Sequence, residues 1–166
     1  MPVAPQEVPV YETLNRLGIP FERFEHPPVA TVEEAQQYDD LHEGGHCKNF
    51  FLRDKKGVQH FLVILLAGTE VDLSNLAKNL KCGHLSFASH ERLFKYLGLL
   101  PGSVGPFGLI NDHFHVVRVI IDRALLLEEK VGFHPNVNTA TVVVKVSDLQ
   151  DFLKDCGNEV EVRDFD

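Results

Sequence analysis

Leu100-Pro101-Gly102-Ser103-Val104-Gly105-Pro106-Phe107-Gly108 packs three glycines and two prolines into nine residues. A backbone so bent and so bare of side chains can turn its amide N–H groups toward a ligand. The fixed proline φ would keep those amides preset around an oxyanion or a ribose hydroxyl. The same composition also describes a tight connection between a helix and a strand. Lys48, beside Asn49 and followed by apolar Phe50-Phe51-Leu52, is a cation on a strand otherwise suited to burial. An anionic or strongly polar ligand would give it a partner, whereas a lysine at the exposed start of a strand needs none. In Gly132-Phe133-His134-Pro135-Asn136 an imidazole sits on a polar bend. It can exchange hydrogen bonds with a ligand near neutral pH, or it is a solvated turn residue.

Nine histidines raise the question of a metal, with His42, His46 and Cys47 close together and His113 two residues from His115. That ligand set is incomplete: there is no H-E-x-x-H, and an i, i+2 pair shares one face of any surface strand. Cys47 has histidines near it in sequence, but nothing there fixes a thiolate, and free buried cysteines are common.

The chain of 166 residues with 44% hydrophobic content is long enough to bury one sizeable core, so a single domain over residues 1–166 is expected. No apolar run is long enough to span a bilayer, and the first residues lack the charged-then-apolar pattern of a signal peptide, which predicts a cytoplasmic protein. Three widely spaced cysteines, Cys47, Cys82 and Cys156, indicate neither a disulfide framework nor a zinc site. A formal net charge of −8 argues against broad, nonspecific binding to nucleic acid, so such a partner would need a local basic patch.

The elements that must position these groups follow from periodicity and punctuation. Val10, Leu14 and Leu17 share a helical face over 6–18, ended by Gly18 and Pro20. A short strand over 21–25 meets the barrier His26-Pro27-Pro28. Thr31 and Glu34 then have capping-box spacing for a helix over about 32–41. Strands at 46–53 and 59–66, joined by Asp54-Lys55-Lys56-Gly57, form a hairpin. Asp72 and Ser89 are N-caps of two helices, the second ending at Gly98, with a short strand at 85–88 between them. Strands at 114–121, 139–146 and 159–163, with a helix opening at Ser147, complete a mixed α+β fold in which short turns favour antiparallel pairing.

These pieces occur in an order that resembles the YbaK/prolyl-tRNA synthetase editing-domain family. The matching stretches are His26-Pro27-Pro28 with Thr31-Val32-Glu33-Glu34-Ala35, Cys47-Lys48-Asn49-Phe50-Phe51-Leu52, Leu85-Ser86-Phe87-Ala88, the G-x-x-x-P loop from Gly102 to Pro106, and Gly132-Phe133-His134-Pro135. Nearly the whole chain is covered, and within the family the likeness is greatest to the free-standing alanyl-tRNA(Pro) deacylases (ProXp-ala, the prolyl-tRNA synthetase associated domain proteins).

The resemblance implies a mainly antiparallel sheet with surrounding helices, and a hydrolase that removes a mischarged amino acid from tRNA(Pro) without metal or organic cofactor. It implies Lys48, Gly102 and Gly105 as the catalytic positions. Asn49, Pro106 and His134, with Thr31, Ser103 and Val104, are implied on the substrate side. The partner implied is the acceptor end of mischarged tRNA(Pro), with prolyl-tRNA synthetase as a second, and neither a membrane nor DNA. A domain reading only an acceptor end needs few phosphate contacts, for which Lys55, Lys56, Lys78, Lys81, Arg92 and Lys95 are available. A cysteinyl-tRNA(Pro) deacylase and a noncatalytic binder of aminoacyl-tRNA or of the synthetase are the competing expectations.

Overall fold

Asp54 closes the turn between the two longest apolar strands by accepting hydrogen bonds from the Val58 and Gln59 amides at 2.9 and 3.1 Å. Around that hairpin the computed structural model describes residues 3–29, 31–38 and 44–165. The strands are β1 (Glu22–Glu25), β2 (Gly45–Asp54), β3 (His60–Leu66), β4 (Leu85–Phe87), β5 (Val117–Asp122), β6 (Lys130–Phe133), β7 (Ala140–Lys145) and β8 (Val160–Arg163). The helices are α1 (Val8–Arg16), α2 (Val32–Gln36), α3 (Leu73–Asn79), α4 (His90–Leu97) and α5 (Val146–Cys156). The strands lie in the order β1-β7-β6-β2-β3-β5-β8, with β4 added to β2.

Neighbours joined by short connections pair antiparallel, as β2 with β3 and β6 with β7. Those separated by long crossovers, β3 with β5 and β5 with β8, pair parallel. β2 also meets β6 in parallel, so the sheet is mixed, with antiparallel pairings in the majority among the described residues.

Burial explains why β3 reads as an unbroken apolar run. Leu62 and Ile64 face a core built with Val10 and Leu14 of α1, Leu93 and Leu97 of α4, and Phe152 of α5. Phe61, Val63 and Leu65 face the opposite core, closed by Leu76 and Ala77 of α3. A strand covered on both faces has no polar side to alternate with. Capping follows the sequence closely. Asp72 accepts from the amides of Ser74 and Asn75, Ser89 accepts from the Arg92 amide, and Gly98 ends α4 in the left-handed region at φ 65°.

The Thr31 cap is present, with the Glu34 amide donating to its hydroxyl at 3.1 Å, but α2 ends at Gln36 and is shorter than predicted. Residues 39–41 of the expected helix lie outside the described residues.

His113 and His115 are not on a strand. The Asp112 carboxylate accepts from the Val116 and Val117 amides and holds the chain in a turn, His115 takes φ 55°, and β5 starts only at Val117. The strand β6 and the 3-10 helix Pro106–Asn111 were not predicted. Four residues that include Gly132, and six that begin with a proline, carry too little periodicity to read. No helix among the described residues is long and apolar enough to cross a membrane.

Candidate active site in a gap of the sheet

One edge of β2 is paired with β3 from Cys47 to Arg53. On its other edge β6 reaches only Gly45 and His46, and β4 begins only at Leu52. Between those two ladders the stretch 47–51 borders a gap, narrowed at one end where the Ala88 amide donates to the Phe51 carbonyl at 2.9 Å. Backbone groups alternate in direction along an antiparallel strand. Asp54 points its amide at Gln59 on the β3 side and Phe51 points its carbonyl at Ala88, so Asn49 turns its backbone toward the gap. A cavity of about 550 Å³ occupies this opening, a volume suited to a small-molecule ligand.

Its walls come from stretches far apart in sequence: Thr31 before α2, Lys48 and Asn49 on β2, Gly102 and Val104 in the loop after α4, and His134 beyond β6. Lys48 is half-buried, with Nζ 5.9 Å from the Phe50 ring centre. Its stem lies on apolar surface, and among the described residues no carboxylate pairs with it. The Oδ1 atom of Asn49 is buried and accepts no hydrogen bond from the described residues, a state that costs about 1–3 kcal/mol unless a donor such as a ligand's satisfies it.

His134 donates from Nδ1 to the Ala140 carbonyl at 2.9 Å, since a carbonyl can only accept. Burial pushes its pKa below the ordinary histidine value, so the ring is neutral and Nε2 is left as an acceptor. His26 beside it, with ring centres 5.7 Å apart, is held at both nitrogens: Nδ1 donates to the Pro27 carbonyl and Nε2 accepts from the Thr141 hydroxyl.

The glycine–proline loop divides into a wall and a support. Ser103 donates its amide to the Leu100 carbonyl at 3.1 Å, closing a turn with Pro101 second and Gly102 third at φ 88°. That geometry is a type II turn, which requires a positive φ at its third residue.

Gly102 and Val104 line the cavity, but Ser103, Gly105 and Pro106 do not; all three are buried behind it. Gly105 is also not a strained or close-approach position. Its φ of −178° is extended, and an added Cβ would come no nearer than 3.7 Å to the His134 carbonyl. The glycine that does require its missing side chain there is Gly108, where a Cβ would meet Leu99 at 2.7 Å. Pro106 opens the 3-10 helix, to which Asn136 donates through the Phe107 carbonyl at 3.4 Å. His26, Tyr38, Phe87, His90 and Thr141 also line the cavity, and no local pattern in the sequence assigned them to it.

His46 and Cys47 reach the cavity, whereas His113 and His115 do not, and His42 lies outside the described residues. His115 packs instead against Gly157 at the end of α5. Burial first, then the nearby carboxylates of Glu128 and Asp122, push the Cys47 thiol far above the ordinary range, so it is no thiolate nucleophile. Among the described residues no group of three histidine, cysteine or acidic side chains is placed to hold a metal. Exhaustive chelation is accordingly expected to leave activity unchanged. Activity lost to a chelator and restored by one divalent ion would overturn this.

Of the basic residues, Arg92 donates to the Gly57 carbonyl and to His60 Nε2, joining α4 to the turn that carries Lys55 and Lys56. Lys95 lies over Tyr96 on the same helix, while Lys78 and Lys81 belong to α3 and its end, on the opposite face of the sheet.

Residues 26–152 match the aminoacyl-tRNA editing domain family. The chain is 42% identical over 149 residues to the prolyl-tRNA editing protein ProX of Acetoanaerobium sticklandii, covering 90% of this chain and 91% of that one. It is 36% identical over 159 residues to prolyl-tRNA synthetase associated domain-containing protein 1 of Bos taurus, covering 93% and 92%. A crystal structure of a candidate trans-editing enzyme for prolyl-tRNA synthetase shares the fold at TM-score 0.72 and 19% identity, over 97% of this chain and 98% of that one. With residues 26–152 matched by the family model and 42% identity to ProX over most of both chains, this chain belongs to the aminoacyl-tRNA editing domain family.

Proposed function

We propose that this protein is a trans-acting deacylase of mischarged tRNA(Pro), with alanyl-tRNA(Pro) as its preferred substrate. The observation that carries the reading is the meeting of Lys48, Asn49, Gly102 and His134 in one cavity. Each complements part of an aminoacyl ester at the 3′ end of a tRNA. The unpaired Lys48 ammonium suits a phosphate or ribose of the terminal nucleotide. The unsatisfied Oδ1 of Asn49 and the acceptor Nε2 of His134 suit the α-ammonium group of the amino acid. The bare backbone at Gly102 lets the ester approach amides that stabilise the oxyanion.

In the reaction a water oxygen bonds to the carbonyl carbon and the bond from that carbon to the ribose oxygen breaks. The water's proton passes to the departing ribose oxygen, leaving free amino acid and tRNA with its hydroxyl restored. Among the described residues no carboxylate lines the cavity, whose bases are the imidazoles of His26, His46, His90 and His134, so we assign the positioning of the water to the vicinal ribose hydroxyl and the orientation of the ester to the protein.

Specificity for alanine follows from what a synthetase cannot do. A site that holds proline admits the smaller alanine and loses only about 1–3 kcal/mol of apolar contact, so a second, tighter site is needed. Turnover of alanyl-, cysteinyl- and prolyl-tRNA(Pro) by the purified protein tests this. Alanyl-tRNA(Pro) is expected to be cleaved fastest, about 100-fold or more faster than prolyl-tRNA(Pro). Preference for the cysteinyl ester would reassign the substrate. Rapid cleavage of the prolyl ester would end the editing reading, and binding without turnover would make the protein a carrier.

A further inference from the structure

We infer that Phe87, at the rim of the cavity, is the stacking platform for the nucleobase that precedes the terminal adenosine of the substrate; this rests on the function proposed above. Phe87 is 60% exposed at the end of β4, a strand of three residues, and it also lines the cavity. In the β2–β4 register it stands opposite Leu52, which places it on the same face of the sheet as Lys48 and Phe50. Its ring meets that of Phe50 edge to face, with centres 5.1 Å apart, and Lys48 Nζ lies 5.9 Å from the Phe50 ring centre. A cation and two rings thus share one face of the sheet, with Phe50 touching both of the others. The edge contact with Phe50 restrains Phe87 while much of the side chain is left open.

The occupant follows from the chemistry of those three groups. With Lys48 on the phosphate between the last two nucleotides, the base on its 5′ side is carried to Phe87. Single-stranded ends are recognised by stacking of unpaired bases on aromatic rings, which every base can satisfy. Two guanidinium groups stand near the rim despite the net charge of −8, on the face of the sheet opposite Phe87. Arg53 is paired in register with Ser86, and its guanidinium donates to the carbonyls of Asp54 and Lys55. Arg92 donates to the Gly57 carbonyl and to His60. Neither is neutralised by a carboxylate among the described residues, but the charge that shares a face with Phe87 in the cavity is that of Lys48, and it is Lys48 with the two rings that selects the occupant.

Three alanyl esters separate this contact from the others: alanyl-adenosine, alanyl-cytidylyl-adenosine, and an alanylated acceptor minihelix. Wild-type kcat/KM is expected to rise at the step from the nucleoside to the dinucleotide, and Phe87→Ala to reduce that rise by about tenfold, in the range of one base–aromatic stack. Phe87→Trp is expected to restore it and Phe87→Leu to fail, since leucine keeps apolar contact without a ring face. An undiminished rise in Phe87→Ala, or full activity on the dinucleotide in Phe87→Leu, would overturn the platform while leaving the deacylase intact. A wild-type protein inert on all three esters would overturn both.

Discussion

Lys48→Ala is expected to lower kcat/KM for alanyl-tRNA(Pro) by about 100-fold, the effect of removing one well-placed charged contact of about 2.7 kcal/mol. The fold should hardly notice. The ammonium pairs with no carboxylate among the described residues, so its removal leaves no buried charge behind. The apolar stem lies against Phe50 and contributes modestly, so the melting temperature should change by about 3 °C or less. Because a phosphate contact is made in ground and transition states alike, most of the loss should appear in KM. Steady-state kinetics with a thermal melt decide the matter: unchanged turnover in a folded variant would remove Lys48 from the site.

Gly102→Val should abolish measurable deacylation and also destabilise the protein. At φ 88° a β-branched residue is strained by about 1–2 kcal/mol, and its side chain starts from the cavity wall, where an ester must approach the backbone. The contrasting substitution is Gly105→Ala, three residues along in the same loop. There the backbone is extended and the new methyl group meets only ordinary contacts, so turnover and melting temperature should stay close to wild type. Equal effects of the two substitutions, large or small, would show that the loop acts as one undifferentiated connection.

The contrast between these glycines shows where reading the sequence stops. The order Pro101-Gly102 is itself the signature of a type II turn, so the positive φ was legible from two residues. That Gly105 is extended and lies behind the wall depends on β6 and the His134 carbonyl, which no local pattern announces. The hairpin at Asp54 and the caps at Asp72 and Ser89 were legible for the same reason as Gly102: each is settled within about five residues.

His26 is the opposite case. Its Pro-Pro neighbours mark a barrier to a strand, but its hydrogen-bond partner Thr141 stands 115 residues away. The gap in β2 was likewise invisible, because it is made by how briefly two other strands touch it. The strand expected from residue 114 starts only at Val117, because the Asp112 carboxylate captures the amides of Val116 and Val117 and holds His113 and His115 in a turn.

The strand order has a consequence for how the protein comes to exist on a ribosome. β2 and β3 can pair as soon as they emerge, but β1, near the start of the chain, has its partner in β7, and β5 waits for β8. Such a topology has high contact order, so closure of the sheet is slow compared with hairpin formation. The half of the cavity built on Lys48 and Asn49 therefore stands for some time without the half that carries His134. During that interval the outer edge of β2 is an uncovered template for foreign strands, and protection by chaperones matters most after residue 66 and before residue 145 has left the exit tunnel.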